Sequence, residues 1–231
     1  MHKNLIISGG IYHPFADTSI SLKEILGSIG IESEITEDVD AGIAALGQSG
    51  YDMVTFNALR WGMMTADKYE PFRAEWAYQT PQISRDSLME FVESGGALLG
   101  LHTASICFDD WPGWGELLGG QWRWGESHHP PLGQVSVRPT SIQHAVSKGL
   151  TEFELNDEIY HALALEPDVV ALLEGESPAG NGPQPVVWAR EFGAGRVVYD
   201  ALGHDAASIS QPQHRQLLQQ AAGWLLGEAM P

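Results

Sequence analysis

Several histidines in this chain stand where extended apolar runs end. His13 lies shortly after Asn4–Ser8, His102 directly follows Ala97–Leu101, and Gly203-His204-Asp205 follows Arg196–Ala201. Asn57 closes the run Asp52–Asn57, and Asp157-Glu158 precedes Tyr160 and His161. An imidazole titrates near neutral pH, so it can exchange a proton or hold a metal ion. Two histidines and a carboxylate converging would serve acid–base chemistry on a polyol, or hold zinc or another divalent ion with an open position. Spacing does not choose between these, because groups drawn from distant segments leave no local signature of the His-Glu-x-x-His kind. The plainer readings are histidines satisfied by backbone in a core, and a solvated acidic turn at Asp157-Glu158.

The sharpest local pattern is Gly100-Leu101-His102-Thr103-Ala104. Small residues two before and two after a central side chain resemble the strand–turn–helix elbow of nucleophile enzymes, where they permit a strained turn. With histidine at its centre, the elbow suits a general base or metal ligand rather than an acyl-forming nucleophile. The lone cysteine, Cys107, lies off this elbow without an activating partner in sequence and reads as a packed thiol.

Trp61, Trp111, Trp114, Trp122 and Trp124 fall in segments that read as loops. Their faces can stack on a sugar ring, with Asn57, Arg60, Arg123 and His128 beside them to bind hydroxyls; loop anchoring or a dimer interface would use them equally well. Trp188 and Trp224 read as core. Of the adjacent His128 and His129, at most one is expected to face a site.

The elements that must position these groups alternate strand and helix through the first half. Strands are predicted over Asn4–Ser8, Ile31–Ile35 (alternating, as at a half-buried edge), Asp52–Asn57 and Ala97–Leu101, the last apolar throughout as in a central parallel strand. Helices are predicted from a cap at Asp17, Thr18 or Ser19 to Leu26, from Asp38 or Asp40 through Leu46, and from Ser84 to Gly95-Gly96. Residues 105–135 lose periodicity, as long functional loops do. Strands follow over Gln134–Arg138, Val169–Glu174, Pro185–Arg190 and Arg196–Ala201, the last two joined at Gly193-Ala194-Gly195. A final helix from Gln211, with Pro212 in its first turn, is expected to bury Leu217, Leu218, Ala221, Trp224 and Leu225. The pattern gives one α/β domain over 1–231, with an open, mostly parallel sheet and helices on both faces.

Composition narrows the function. Thirty acidic residues against twelve basic give a net charge of −18, and the four lysines are scattered, which argues against nucleic acid and anionic membranes as partners. No apolar run is long enough to span a membrane, and the N-terminus lacks the marks of a signal peptide. One cysteine fits a reducing cytoplasm.

Taken together, Gly95 through Ala104, Asn156-Asp157-Glu158-Ile159-Tyr160, Pro185-Val186-Val187-Trp188, Gly193 through Tyr199 and Gly203-His204-Asp205 resemble the ThuA-like (trehalose utilisation) family. Ser8-Gly9-Gly10, His13-Pro14-Phe15 and the Asn57 region fit as well. The resemblance implies the class I glutamine amidotransferase-like superfamily, with a flavodoxin-like three-layer fold, here followed by an antiparallel C-terminal strand pair. True amidotransferases carry cysteine where His102 stands and a His-Glu pair where Gly203-His204-Asp205 stands. Without that thiol no glutamyl thioester forms, so glutamine hydrolysis is excluded. The resemblance further implies a carbohydrate context and brings the Asp157–Tyr160 segment to the pocket, whereas His161 is not part of the family pattern.

The expectation is therefore a cytoplasmic protein acting on a sugar or keto-sugar. His102, His204, Asp205, Glu158 and Asp157 are the candidate catalytic groups, with Asp205 orienting His204. His13, Asn57, Trp61, Trp122, His128, Tyr160 and His161 are the candidate substrate-binding residues. A divalent metal such as zinc is an open option, and a homo-oligomer is allowed. The alternative is a non-catalytic sugar-binding or regulatory protein that retains the pocket.

Overall fold

The computed structural model describes residues 1–48 and 50–228. In chain order its strands are β1 (His2–Gly9), β2 (Ile31–Thr36), β3 (Met53–Ala58), β4 (Ala97–Leu101), β5 (Gly120–Gln121), β6 (Gly133–Pro139), β7 (Phe153–Asp157), β8 (Ala164–Leu165), β9 (Val170–Glu176), β10 (Gln184–Phe192) and β11 (Gly195–Asp200). The helices are α1 (Phe15–Gly27), α2 (Val39–Leu46), α3 (Arg73–Trp76), α4 (Gln82–Glu93), α5 (Pro112–Leu118), α6 (Ala206–Ser210) and α7 (Pro212–Leu225). Nine strands form one sheet in the order β2-β1-β3-β4-β11-β10-β9-β6-β7, while β5 and β8 pair separately.

The sheet is mixed, which corrects the expectation of a mostly parallel sheet with one added antiparallel pair. Four neighbour pairings are parallel, from β2 to β11. The other four, from β11 to β7, are antiparallel. The reason lies in the connections: parallel neighbours need a crossover of a dozen or more residues, whereas β10 returns into β11 through Gly193 and Ala194 alone. The flavodoxin-like order, 2-1-3-4-5, is present only in the parallel half.

Helices cover both faces of that half. Ser8 of β1 turns its hydroxyl to Ser19 of α1 at 2.8 Å, while its neighbour Ile7 faces Gly42 of α2, where a Cβ would lie 3.3 Å from the Ile7 side chain. Successive strand residues point to opposite faces, so α1 and α2 flank the sheet from opposite sides. β3 and β4 are buried at every position, as two-sided coverage requires, and β2 alternates as an edge does.

Several local expectations change. α1 begins at Phe15, before Asp17, because Thr18 and Ser19 are turned inward to accept hydrogen bonds from the Asn57 amide, 2.9 Å each, and are not free to cap. Asp38 is the cap of α2, accepting from the Ala41 N–H at 3.0 Å, and α4 starts at Gln82 rather than Ser84. The stretch read as irregular contains α5 and β5, with Pro112 in the first turn of α5 and left-handed Gly119 (φ +84°) at its end. β7 and β8 add to the predicted strands. Trp224 is only partly buried, packed edge-on to His144 and beneath Arg196.

Candidate functional site

The C-terminal ends of β1, β4 and β11 deliver His13, His102 and His204 to one place above the parallel half, and the end of β7 delivers Glu158. Ligand sites of open α/β sheets form at this end, where loops from several strands meet. One metal-ligating atom from each of the four side chains lies within 4.8 Å of all the others.

His102 opens a 3₁₀ turn over His102–Ile106 with φ +47°, a left-handed conformation that costs a non-glycine residue about 1–3 kcal/mol. Two hydrogen bonds hold it there. The Tyr199 hydroxyl donates to the His102 carbonyl at 2.7 Å, and the His102 ring reaches the Ala201 carbonyl through Nδ1, also at 2.7 Å. The elbow needs its small residues: a Cβ on Gly100 would lie 2.5 Å from the Leu118 side chain and 3.4 Å from the Ala104 methyl.

Glu158 is the hub. Its Oε2 lies 3.4 Å from His204 Nδ1, 3.6 Å from His102 Nε2 and 3.9 Å from His13 Nε2, while Oε1 lies 3.5 Å from His129 Nδ1. Burial pushes the Glu158 carboxyl up, but its contacts with His102, His13 and His204 override this and hold it far below the usual carboxylate range. Glu158 raises the proton affinity of His204, against a smaller opposing effect of burial. Burial lowers that of His13. Tyr160 brings its hydroxyl to 3.2 Å from His102 Nε2, and burial pushes its pKa well above the ordinary value.

Asp157 is fully buried and faces the scaffold. Its carboxylate accepts from the Glu158 N–H at 2.8 Å, the Gly203 N–H at 2.8 Å and the Ser208 hydroxyl, tying the end of β7 to the loop that carries His204. Below it, buried His214 of α7 contacts Asp200 through Nε2 at 2.9 Å and the Ser208 carbonyl through Nδ1 at 2.8 Å. The acidic pair is therefore no solvated turn.

A cavity of about 130 Å³ adjoins Glu158, lined among others by His13, Trp61, Trp122, Trp124, His129 and Tyr160. Drug-sized ligands occupy about 300–1,000 Å³, so this volume suits a small molecule or one ring of a larger one. The indole N–H groups of Trp61, Trp122 and Trp124 are buried and lack a hydrogen-bond partner among the described residues. A larger hollow of about 750 Å³, around His2, Asp52 and Gly95, lies at the opposite strand ends, away from this chemistry.

Of the predicted residues, His13, His102, His204, Glu158, Tyr160, Trp61 and Trp122 are thus brought together. Asn57 is not: its amide is spent on α1, at 1 % exposure. Asp205 does not orient His204, because its carboxylate caps α6 by accepting from the Ser208 N–H at 2.8 Å. His161 and His128 stack on each other outside the cluster, with ring centroids 5.2 Å apart and backbones bridged. The neighbour His129 faces Glu158 instead, and only tertiary contacts distinguish the two. Trp111 and Trp114 pack with Phe108 in the core. Cys107 is fully buried, with burial pushing its thiol up to about 12, and its sulfur approaches the Ala58 carbonyl at 3.2 Å.

The fold and site define an α/β protein with a histidine–carboxylate centre over the parallel half of a mixed sheet. The chain belongs to the ThuA family, described as trehalose utilisation, which matches residues 3–225. Comparison with curated proteins gives no match. Among solved structures, the chain is similar to a ThuA-like protein from Parabacteroides merdae, with TM-score 0.80, 18% identity, and coverage of 100% of this chain and 92% of that one. A ThuA-like protein from Bacteroides uniformis gives TM-score 0.71 and 21% identity over 97% and 91% of the two chains. A Salmonella typhimurium protein described as cytoplasmic gives TM-score 0.62 and 15% identity over 99% and 100%. At these identities the structural likeness speaks for the fold. No helix among the described residues is long and apolar enough to cross a membrane.

Proposed function

We propose that this chain is an enzyme of carbohydrate metabolism acting on a small sugar or keto-sugar. The sugar's ring lies against the tryptophan-lined cavity and its reacting carbons against His13, His102, His204 and Glu158. The observation that carries the reading is that convergence, with Glu158 Oε2 at 3.4 Å from His204 and 3.6 Å from His102, beside an aromatic cavity that holds unpartnered indole donors. Indole faces suit the C–H face of a sugar, and buried N–H groups without partners favour a ligand rich in acceptor oxygens. Neighbouring groups whose proton affinities are driven apart, as at Glu158 and His204, are how one site runs acid and base chemistry together. Isomerisation, or cleavage next to a carbonyl, would use such a centre.

The family description and the cytoplasmic description of the Salmonella neighbour support the carbohydrate context and a cytoplasmic location for this chain. A purely binding protein would leave the same groups apart, each satisfied by backbone. Glu158 and His204 Nδ1 do not fit that picture, since the carboxylate of the first faces four histidine side chains and the second is buried without a hydrogen-bond partner among the described residues. The test is turnover of keto-sugar and disaccharide panels by the wild-type protein and His102→Ala. We expect a substrate in the panel and a loss of at least about 100-fold in the variant, the scale of positioned acid–base catalysis. A wild-type protein inert toward every sugar, or a folded His102→Ala variant with undiminished turnover, would refute the reading.

A further inference from the structure

We infer that His13, His102, His204 and Glu158 form a divalent-metal site, with zinc the best-fitting ion. This rests on reading the cluster as the reacting centre and changes what its members do: they hold an ion, and the Tyr160 hydroxyl, 3.2 Å from His102 Nε2, becomes the nearest other proton-bearing group.

The argument begins with where the protons are. His102 Nδ1 lies 2.7 Å from the Ala201 carbonyl, and His13 Nδ1 lies 3.3 Å from the Ile11 carbonyl. A carbonyl oxygen only accepts, so in each neutral ring Nδ1 carries the proton and Nε2 the lone pair. Those two Nε2 atoms face each other at 3.2 Å. Both are also near Glu158 Oε2, a third electron-rich atom. His204 Nδ1 comes to 3.4 Å from the same oxygen. Four ligand atoms thus converge on one focus, and the rings of His102 and His13 turn their own protons away from it. A single added proton would relieve one pair of them, whereas a cation at the focus satisfies all four.

The spacing agrees. In a tetrahedral site with bonds of about 2.05 Å, ligand atoms stand roughly 3.3 Å apart, from the tetrahedral edge-to-radius ratio of about 1.63. Four of the separations are 3.2, 3.4, 3.6 and 3.9 Å, and one ligand atom from each side chain lies within 4.8 Å of the others, so side-chain rotations can complete the geometry. Metal-bound histidines characteristically donate their other N–H to a carbonyl, as His102 and His13 do here. Three imidazole nitrogens and one carboxylate suit zinc and its late first-row neighbours, whereas magnesium and calcium prefer all-oxygen shells. His13 and Glu158 line the same cavity as Trp122, Trp124 and His129, so a ligand there would lie beside two of the metal-holding side chains.

The experiment needs no substrate. Metal content is measured on the purified protein, and chelator-treated protein is titrated with ZnCl₂ by calorimetry and with CoCl₂ by visible absorption. We expect one zinc per chain and, with cobalt, intense ligand-field bands of a four- or five-coordinate ion. His204→Ala, at the partly exposed rim, and Glu158→Gln should each weaken zinc binding by more than about 100-fold, since even outer-shell losses cost 10–100-fold. His128→Ala should leave it unchanged. Wild-type protein that takes up no zinc, or a His204→Ala variant that folds by circular dichroism and binds zinc as the wild type does, would overturn the site. Sugar turnover that persists in ion-free protein and is lost in His102→Ala would also overturn it, while leaving the carbohydrate reading standing.

Discussion

Replacing Glu158 by glutamine keeps the shape of the hub and removes its charge. In metal-free protein the nearest contact affected is His204 Nδ1 at 3.4 Å. A unit charge pair at that distance is worth about 5 kcal/mol at an effective dielectric of ~20. The His204 side chain is 16 % exposed and Glu158 10 %, so solvent screening reduces this to roughly 2 kcal/mol. Glu158 raises the proton affinity of His204 above its ordinary value, so the variant should return it to that value or below. Histidine side-chain NMR titration of chelator-treated wild-type and Glu158→Gln protein measures this directly. The sign extends to stability. A group whose folded pKa is raised stabilises fully below its unfolded value of about 6.5, and that contribution disappears as pH rises through the folded value. Glu158, whose folded pKa is lowered, stabilises above about 4.3 and ceases to as the medium becomes more acidic. The wild-type advantage over Glu158→Gln in urea unfolding should therefore peak between about pH 4.5 and 6.5 and shrink on either side. An unmoved His204 titration in the variant, or an advantage that grows from pH 6.5 to 9, would refute the reasoning.

Two further substitutions separate scaffold from chemistry. Asp157→Asn leaves the Glu158 and Gly203 N–H groups and the Ser208 hydroxyl competing for a weaker, partly donating amide in a fully buried place. It should cost about 3 kcal/mol, seen as a melting temperature lower by roughly 6–12 °C; a melting point unchanged from wild type would show that the carboxylate does not tie β7 to the His204 loop. Cys107→Ser should leave turnover within about twofold, and the native thiol should resist thiol reagents until the protein unfolds, because it is buried and its pKa lies near 12. Fast native labelling would contradict that placement.

Patterns confined to one segment were legible before any coordinates. The parallel strands announced themselves as short apolar runs closed by glycine or polar residues, and the elbow around His102 followed from small residues at fixed offsets. Even β7, as Phe153-Glu154-Leu155-Asn156-Asp157, shows the alternation of a one-sided strand, and Pro112 with Gly119 brackets α5. His214 shares the buried stripe of Leu217, Leu218 and Ala221 on α7, a polar residue on an apolar face that needs a partner such as Asp200.

Partner choice was another matter. By sequence alone Asp205 is the natural carboxylate for His204, yet a helix start beside it claims the side chain, and Glu158 arrives from a strand far along the chain. Likewise nothing local says that His129 rather than His128 turns inward, or that Asn57 is used up by α1. Residue type and short-range periodicity determine which elements form and which groups could act, because both are properties of a few consecutive residues. Which groups meet is decided by how the antiparallel half closes against the parallel one, since hydrogen bonds and charges act over a few ångströms in space, whatever the separation along the chain.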